Sequence, residues 1–270
     1  MPELPEVEIT RRGIEPFVLG RTITGVTVRN PNLRRRVPRN IARLLVGQKV
    51  RRLQRRGKYI LFECDAGSLI VHLGMSGSLR VIEPQSAPRK HDHVDLVFGG
   101  AALRLRDPRR FGMIVWNRGD ASRHPLLARL GIEPLGEEFT PEFLYRITRG
   151  RNVGIKQLLM NAGAIVGVGN IYANESLFRA GIHPRARARR LSRERCARLV
   201  EAVRETLVAA IAAGGSSLRD FVHSDGASGY FQQSYYVYDR AALPCRVCGA
   251  GIRVARLGQR SSFYCPDCQR

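Results

Sequence analysis

At 270 residues the chain is long enough for two domains, each burying its own core without disulfide staples. Its 45 Lys and Arg outnumber 23 Asp and Glu, a net charge of +22 that points to a polyanionic partner such as nucleic acid; an Arg-biased composition is the plainer alternative, but it does not account for the shortage of acids. Neither membrane insertion nor export is expected, because no apolar run approaches membrane-span length and Met1-Pro2-Glu3-Leu4-Pro5-Glu6 is acidic with no apolar run behind it.

The first predicted element is a helix. Pro5 suits its first turn, Val7, Arg11, Ile14 and Phe17 follow at helical spacing, and Glu3, Glu6 and Glu8 sit at its positive end. A series of β-like runs comes next, over 21–29, 50–64, 68–72, 78–82, 93–98, 102–106 and 112–116. Several alternate, as in Tyr59-Ile60-Leu61-Phe62, and Gly and Pro punctuate the gaps, a pattern that predicts a sandwich or barrel. Residues 135–140 read as a linker, after which the pattern turns helical. Thr140 caps and Pro141 opens one helix; 152–160 and 171–180 form two more around Gly163 to Asn170. Ser192 caps a long helix that Gly214-Gly215 ends. A polar stretch rich in Gly and Tyr, 216–238, leads into the last segment.

That segment holds Cys245-Arg246-Val247-Cys248 and Cys265-Pro266-Asp267-Cys268. Two residues between thiolates let both sulfurs face one tetrahedral ion, and the spacer suits a zinc ribbon or hairpin finger. Four thiolates leave no position open for water, so one structural Zn2+ is expected. Cys64 and Cys196 stand alone, which fits a cytoplasmic protein with a metal site better than a secreted disulfide framework. Between the pairs lie Arg253, Arg256, Gln259 and Arg260, a basic hairpin tip suited to probing phosphates or the minor groove. Only Lys49, Lys58, Lys90 and Lys156 are lysines. In a chain that otherwise uses Arg, a retained Lys suggests a need for a compact ammonium or reactive amine, though chance survival suffices for Lys49 and Lys90.

The opening Met1-Pro2-Glu3-Leu4-Pro5-Glu6-Val7-Glu8 resembles the start of bacterial formamidopyrimidine-DNA glycosylases. The likeness continues through Lys58-Tyr59, His72-Leu73-Gly74-Met75-Ser76-Gly77, Lys90-His91-Asp92-His93-Val94-Asp95 and Asp107-Pro108-Arg109-Arg110-Phe111-Gly112. Gly167-Val168-Gly169-Asn170-Ile171-Tyr172 and the zinc segment with Gln259-Arg260 complete it. The resemblance implies an α+β fold: an N-terminal β-sandwich flanked by helices, then a helix–two-turn–helix domain with a zinc-finger hairpin. It divides the chain into a catalytic domain over 1–133, a linker and first helix over 134–150, a DNA-binding domain with its lesion loop over 151–235, and a zinc finger over 236–270. It implies a monomer acting on double-stranded DNA that contains oxidised purines or abasic sites, with no membrane partner.

Glycosylases that also cut the strand need an amine nucleophile. Pro2 suits that role once Met1 is removed, because a free α-amine has a pKa of about 8, roughly two pH units below Lys, and more of it is neutral at pH 7. Glu3 beside it can shuttle protons, although it also fits a plain helix-dipole carboxylate; Glu6, one turn on, could assist or only orient. Base excision further requires everting the nucleotide. By resemblance Met75, Arg109 and Phe111 fill the vacated stack, Lys58, Lys156, Asn170 and Arg260 hold phosphates with Lys58 and Arg260 close to the chemistry, and His72, His91 and Tyr238 join Glu6 among the DNA-binding residues. Residues 216–230 match the loop that covers the everted base. On the residues alone, Lys58 reads as an exposed strand lysine and His91 as a structural or phosphate-contacting histidine. Two rival readings remain: an endonuclease VIII-type enzyme for oxidised pyrimidines, whose opening carries Gly where this chain has Leu4, and a non-catalytic zinc DNA-binding protein.

Overall fold

The structure, a computed structural model, describes residues 2–216 and 231–270. All but the first residue of the stretch 216–230, expected to cover the everted base, lies outside them. The chain forms two compact units, one of residues 1–128 with 214–230, the other of 129–213 with 231–270.

The first unit opens with helix α1, Leu4–Val18. Its buried stripe is Leu4, Val7, Thr10, Ile14 and Val18; Phe17, expected on that stripe, is instead 41% exposed. Arg11 lies beside the stripe, where it pairs with Glu8 and Glu15. Strand β1 (Gly25–Val28) and a short helix α2 (Ile41–Leu45) precede seven more strands: β2 (Val50–Arg56), β3 (Tyr59–Cys64), β4 (Gly67–His72), β5 (Ser78–Ile82), β6 (Asp92–Val97), β7 (Ala102–Arg106) and β8 (Met113–Asn117). They make two antiparallel sheets, ordered β1-β6-β7-β5 and β2-β3-β4-β8. Inward residues of both sheets, among them Phe62, Leu69, Val94 and Leu105, share one core with Val7 and Ile14 of α1. This is the expected sandwich, but β3, β4, β6 and β7 bury consecutive residues and so are covered on both faces rather than alternating. Glu8 also accepts from Arg55 of β2 at 3.2 Å, tying the outer side of α1 to the sheet edge.

The second unit is helical, with α3 (Pro141–Thr148), α4 (Ile155–Leu159), α5 (Asn170–Arg179) and α6 (Arg193–Ala212). The Thr140 and Ser192 side chains cap α3 and α6 as expected, accepting from Phe143 and Arg195 N–H groups. Strands β9 (Arg253–Leu257) and β10 (Arg260–Tyr264) form a hairpin. Among the described residues no helix is long and apolar enough to cross a membrane.

Candidate functional site

In the first unit the residues expected to carry the chemistry lie at the start of α1. Pro2 is buried and Glu3 is 2% exposed. Pro5 lies in the first helical turn, where its missing N–H costs no hydrogen bond. Glu6 was expected among the DNA-binding residues, but it is 0% exposed and its carboxylate faces inward. Its Oε2 accepts the Glu3 N–H at 2.8 Å and its Oε1 the Ser216 N–H at 2.9 Å. The first bond satisfies a donor that a helix start leaves orphaned; the second anchors the segment at 216. Glu6 therefore orients the residues around Pro2.

Lys58 is not on a strand. It sits with Gly57 in the turn that splits the run 50–64 into β2 and β3, with Gly57 at φ +57°. Tyr59 pairs with His72 across β3 and β4, ring centroids 4.8 Å apart. His72 Nδ1 accepts the Gly74 N–H at 2.9 Å, so the ring is neutral with its proton on Nε2. Burial, with help from the nearby Lys58 and Arg34 charges, pulls its pKa down to about 4.

The expected stack-filling residues lie on two loops packed back to back. Met75 follows β4; Arg109 and Phe111 follow β7, both exposed, with the guanidinium 5.0 Å from the Phe111 ring centre. A Cβ on Gly74, at φ +68°, would overlap the Phe111 carbonyl, so only glycine allows this approach. Asp107, 0% exposed, holds the pair together. Its Oδ1 accepts from Ser76 Oγ at 2.8 Å and its Oδ2 from the Gly112 N–H at 2.7 Å. Ser76 Oγ in turn accepts the Arg109 N–H at 3.2 Å. His91, at φ +75°, accepts the Asp107 N–H through its carbonyl, and His93 bonds the Asp107 carbonyl at 2.8 Å.

In the second unit, Asn170 begins α5 and Arg260 is exposed at the start of β10. The Asn170 Oδ1 is buried with no hydrogen-bond partner among the described residues. Lys156 departs from the expected phosphate contact. It is 2% exposed, and its Nζ donates to the Ser261 carbonyl at 2.8 Å and Ser262 Oγ at 2.7 Å. Buried ammonium groups need such acceptors, and here they tie α4 to the hairpin that carries Arg260. Tyr238 is half-buried, its ring edge-on to Phe263 at 5.2 Å.

The sulfurs of Cys245, Cys248, Cys265 and Cys268 all lie within 4.8 Å of one another. Cys245 and Cys268 are 3.9 Å apart, Cys248 and Cys265 3.4 Å. A tetrahedral zinc about 2.3 Å from each sulfur would space them by about 3.8 Å, so the four fit one ion with no side left open. Arg253, Arg256, Gln259 and Arg260 are exposed on the hairpin beside it.

Comparison with known proteins decides the family. The profile of the formamidopyrimidine-DNA glycosylase N-terminal domain matches residues 1–114, that of the formamidopyrimidine-DNA glycosylase H2TH domain 130–222, and a zinc finger found in FPG and IleRS 242–270. A formamidopyrimidine-DNA glycosylase of Aromatoleum aromaticum is 60% identical over 100% of both chains. The chain belongs to the formamidopyrimidine-DNA glycosylase family. Two solved structures of such proteins superpose along its length. The MutM (FPG) protein of Thermus thermophilus gives a TM-score of 0.89 at 41% identity, covering 99% of this chain and 98% of the other. A Lactococcus lactis FPG variant in complex with Fapy-dG-containing DNA gives 0.92 at 32%, covering 100% of both. The four-cysteine zinc site lies within the matched zinc finger, 242–270.

Two buried carboxylates that hold these segments in place were not among the expected site residues. Asp107 is one, although an Asp before Pro is a recognisable turn signal. Glu175 is the other: its carboxylate, 1% exposed, accepts the Tyr236, Val237 and Tyr238 N–H groups at 2.9, 3.0 and 2.8 Å. Burial raises its pKa and the three N–H groups oppose that rise. No local pattern marks it, since Glu175 stands between Asn174 and Ser176 in the predicted helix and its partners are about 60 residues away.

Proposed function

We infer that this chain is a bifunctional DNA glycosylase and abasic-site lyase that removes oxidised purines from duplex DNA in the cytoplasm. Family membership supports that activity, and the observation that carries the assignment of chemistry is the buried Pro2-Glu3 start held by Glu6. With Met1 removed, the Pro2 nitrogen attacks C1′, the C1′–base bond breaks and the purine leaves with a proton. Ring opening leaves an iminium between Pro2 and C1′. The iminium acidifies the C2′ proton; its loss expels the 3′-phosphate, and a second elimination expels the 5′-phosphate. Glu3 is the proton carrier for these steps. Met75, Arg109 and Phe111 occupy the stack that the everted nucleotide leaves. Lys58, Asn170 and Arg260 contact phosphates, His72, His91 and Tyr238 line the DNA-contacting surface, and Lys156 supports Arg260 through the hairpin.

The test is borohydride reduction on a duplex with 8-oxoguanine opposite cytosine. A covalent adduct mapping to residue 2 is expected, together with near-complete inactivity of protein that retains Met1, whose Pro2 amide has no free lone pair. An adduct on Lys58 would overturn the assignment.

A further inference from the structure

The sheet β1-β6-β7-β5 has one face in the core and one turned away from it. Arg104 and Arg106, two residues apart on β7, share the outward face, and Arg80 of β5 pairs with Arg104. Asp92 and Asp95 of β6 are three residues apart, so a regular strand would point them to opposite faces. The register shift between Asp92 and Val94 makes His93 a bulge and brings both carboxylates to the arginine side. Arg104 donates onward to the Ser86 and Ala87 carbonyls at 2.9 and 3.1 Å, drawing the β5–β6 connection over the sheet. A cavity of about 530 Å³ results, lined among others by Arg80, Ser86, Arg89, Asp92, Arg104 and Arg106.

Charge in this cavity is unbalanced, with four arginines facing one carboxylate, Asp92. Both nearby acids are already engaged. Asp95 takes Arg104 through two bonds of 2.9 and 2.8 Å and Arg29 at 2.7 Å. Asp92 accepts the Arg89 N–H at 2.8 Å and stands 3.5 Å from Arg104 and 3.8 Å from Arg106. The Arg80 Nε is buried with no hydrogen-bond partner among the described residues. Desolvation and the neighbouring Arg106 and Arg89 charges pull the Arg80 pKa down against the opposing effect of Asp92. A desolvated guanidinium N–H without an acceptor is costly, and an added anion would relieve it.

We propose that this cavity is a phosphate-binding site, with Arg80, Arg89 and Arg106 as its donors. Three guanidiniums on a strand, a connection and a second strand need an acceptor with oxygens on several sides, which a phosphate offers and a planar carboxylate does not. The volume lies within the range of small-ligand sites and leaves room for an organic body beyond the phosphate. None of these arginines belongs to the nucleophile, the stack-filling loops or the phosphate contacts assigned above, so the site is additional to them. A free phosphomonoester and a DNA backbone phosphate offer the same chemistry, and the test separates the two.

The full-length zinc-loaded protein, labelled with 15N-arginine, is titrated with inorganic phosphate against chloride of matched ionic strength. The Arg80 Nε–Hε signal, identified by its loss in Arg80→Gln, should shift saturably; Arg80→Gln followed at the Arg106 signal, and Arg106→Gln followed at the Arg80 signal, should each weaken this binding about tenfold. Arg106 is partly exposed, so its variant keeps the test alive should Arg80→Gln fail to fold. A short undamaged duplex that reproduces the Arg80 shift identifies the backbone as the source; a duplex that leaves the signal unmoved while phosphate still binds identifies a small molecule. An Arg80 signal that follows only ionic strength, or phosphate affinity unchanged in the Arg106 variant, would overturn the proposal.

Discussion

At the scale of single residues, His72 and Arg109 lead to opposite kinds of test. His72 is neutral when folded, with a pKa near 4 against an ordinary 6.5. Between those two values the unfolded chain binds the proton and the folded one does not, so stability falls as pH drops from 6.5 toward 4. Fully expressed below pH 4, the effect amounts to about 3 kcal/mol. Acid melts of the parent and His72→Gln should therefore diverge within that window, the variant losing less; parallel curves would show that His72 titrates normally. Arg109 is exposed and backed by Phe111, which leaves its planar fork free to address an orphaned base. Cytosine offers N3 and O2 as adjacent acceptors, whereas adenine sets a donor beside N1. Excision of 8-oxoguanine opposite cytosine should be roughly ten- to a hundredfold faster than opposite adenine. Arg109→Ala should lose much of that preference while still forming the borohydride-trapped adduct; an unchanged preference would remove Arg109 from the role.

At the scale of elements, Asp107 and the zinc cluster each hold a loop in position. Asp107→Ala strands Ser76 Oγ and the Gly112 N–H, and should cost about 2–3 kcal/mol in thermal unfolding. Excision of 8-oxoguanine should fall much more than cleavage at a preformed abasic site, which has no base to evert; equal losses would mean that Asp107 serves stability alone. Cys245→Ala should release the metal and lower DNA affinity by loosening the Arg260 hairpin, and full affinity in the metal-free protein would refute it. The strand runs and the capped helices α3 and α6 were legible in the sequence because each depends on neighbours a few residues away. The hairpin inside 50–64 was not, since the lone Gly57 between Arg56 and Lys58 is its only turn signal. Helix α2 was hidden in a stretch crowded with Arg and Pro. The burial of Lys156 rests on acceptors 105 and 106 residues away, and that of Glu6 on a donor 210 residues away, distances over which no local pattern speaks.

At the scale of the whole molecule, the charge of +22 should govern affinity. If three to six phosphates are neutralised, log K against log salt should slope by roughly −3 to −5. A slope shallower than about −1 would show that the basic excess is not the DNA footprint. The bond from Ser216 to Glu6 spans 210 residues and so forms late in synthesis. The first unit takes residues 1–128 and then 214–230, so it is left open while the helices between them are made. The Glu6 carboxylate can accept the Ser216 N–H only after residue 216 has been made. A nascent chain halted anywhere in α6 lacks the Ser216 donor to Glu6.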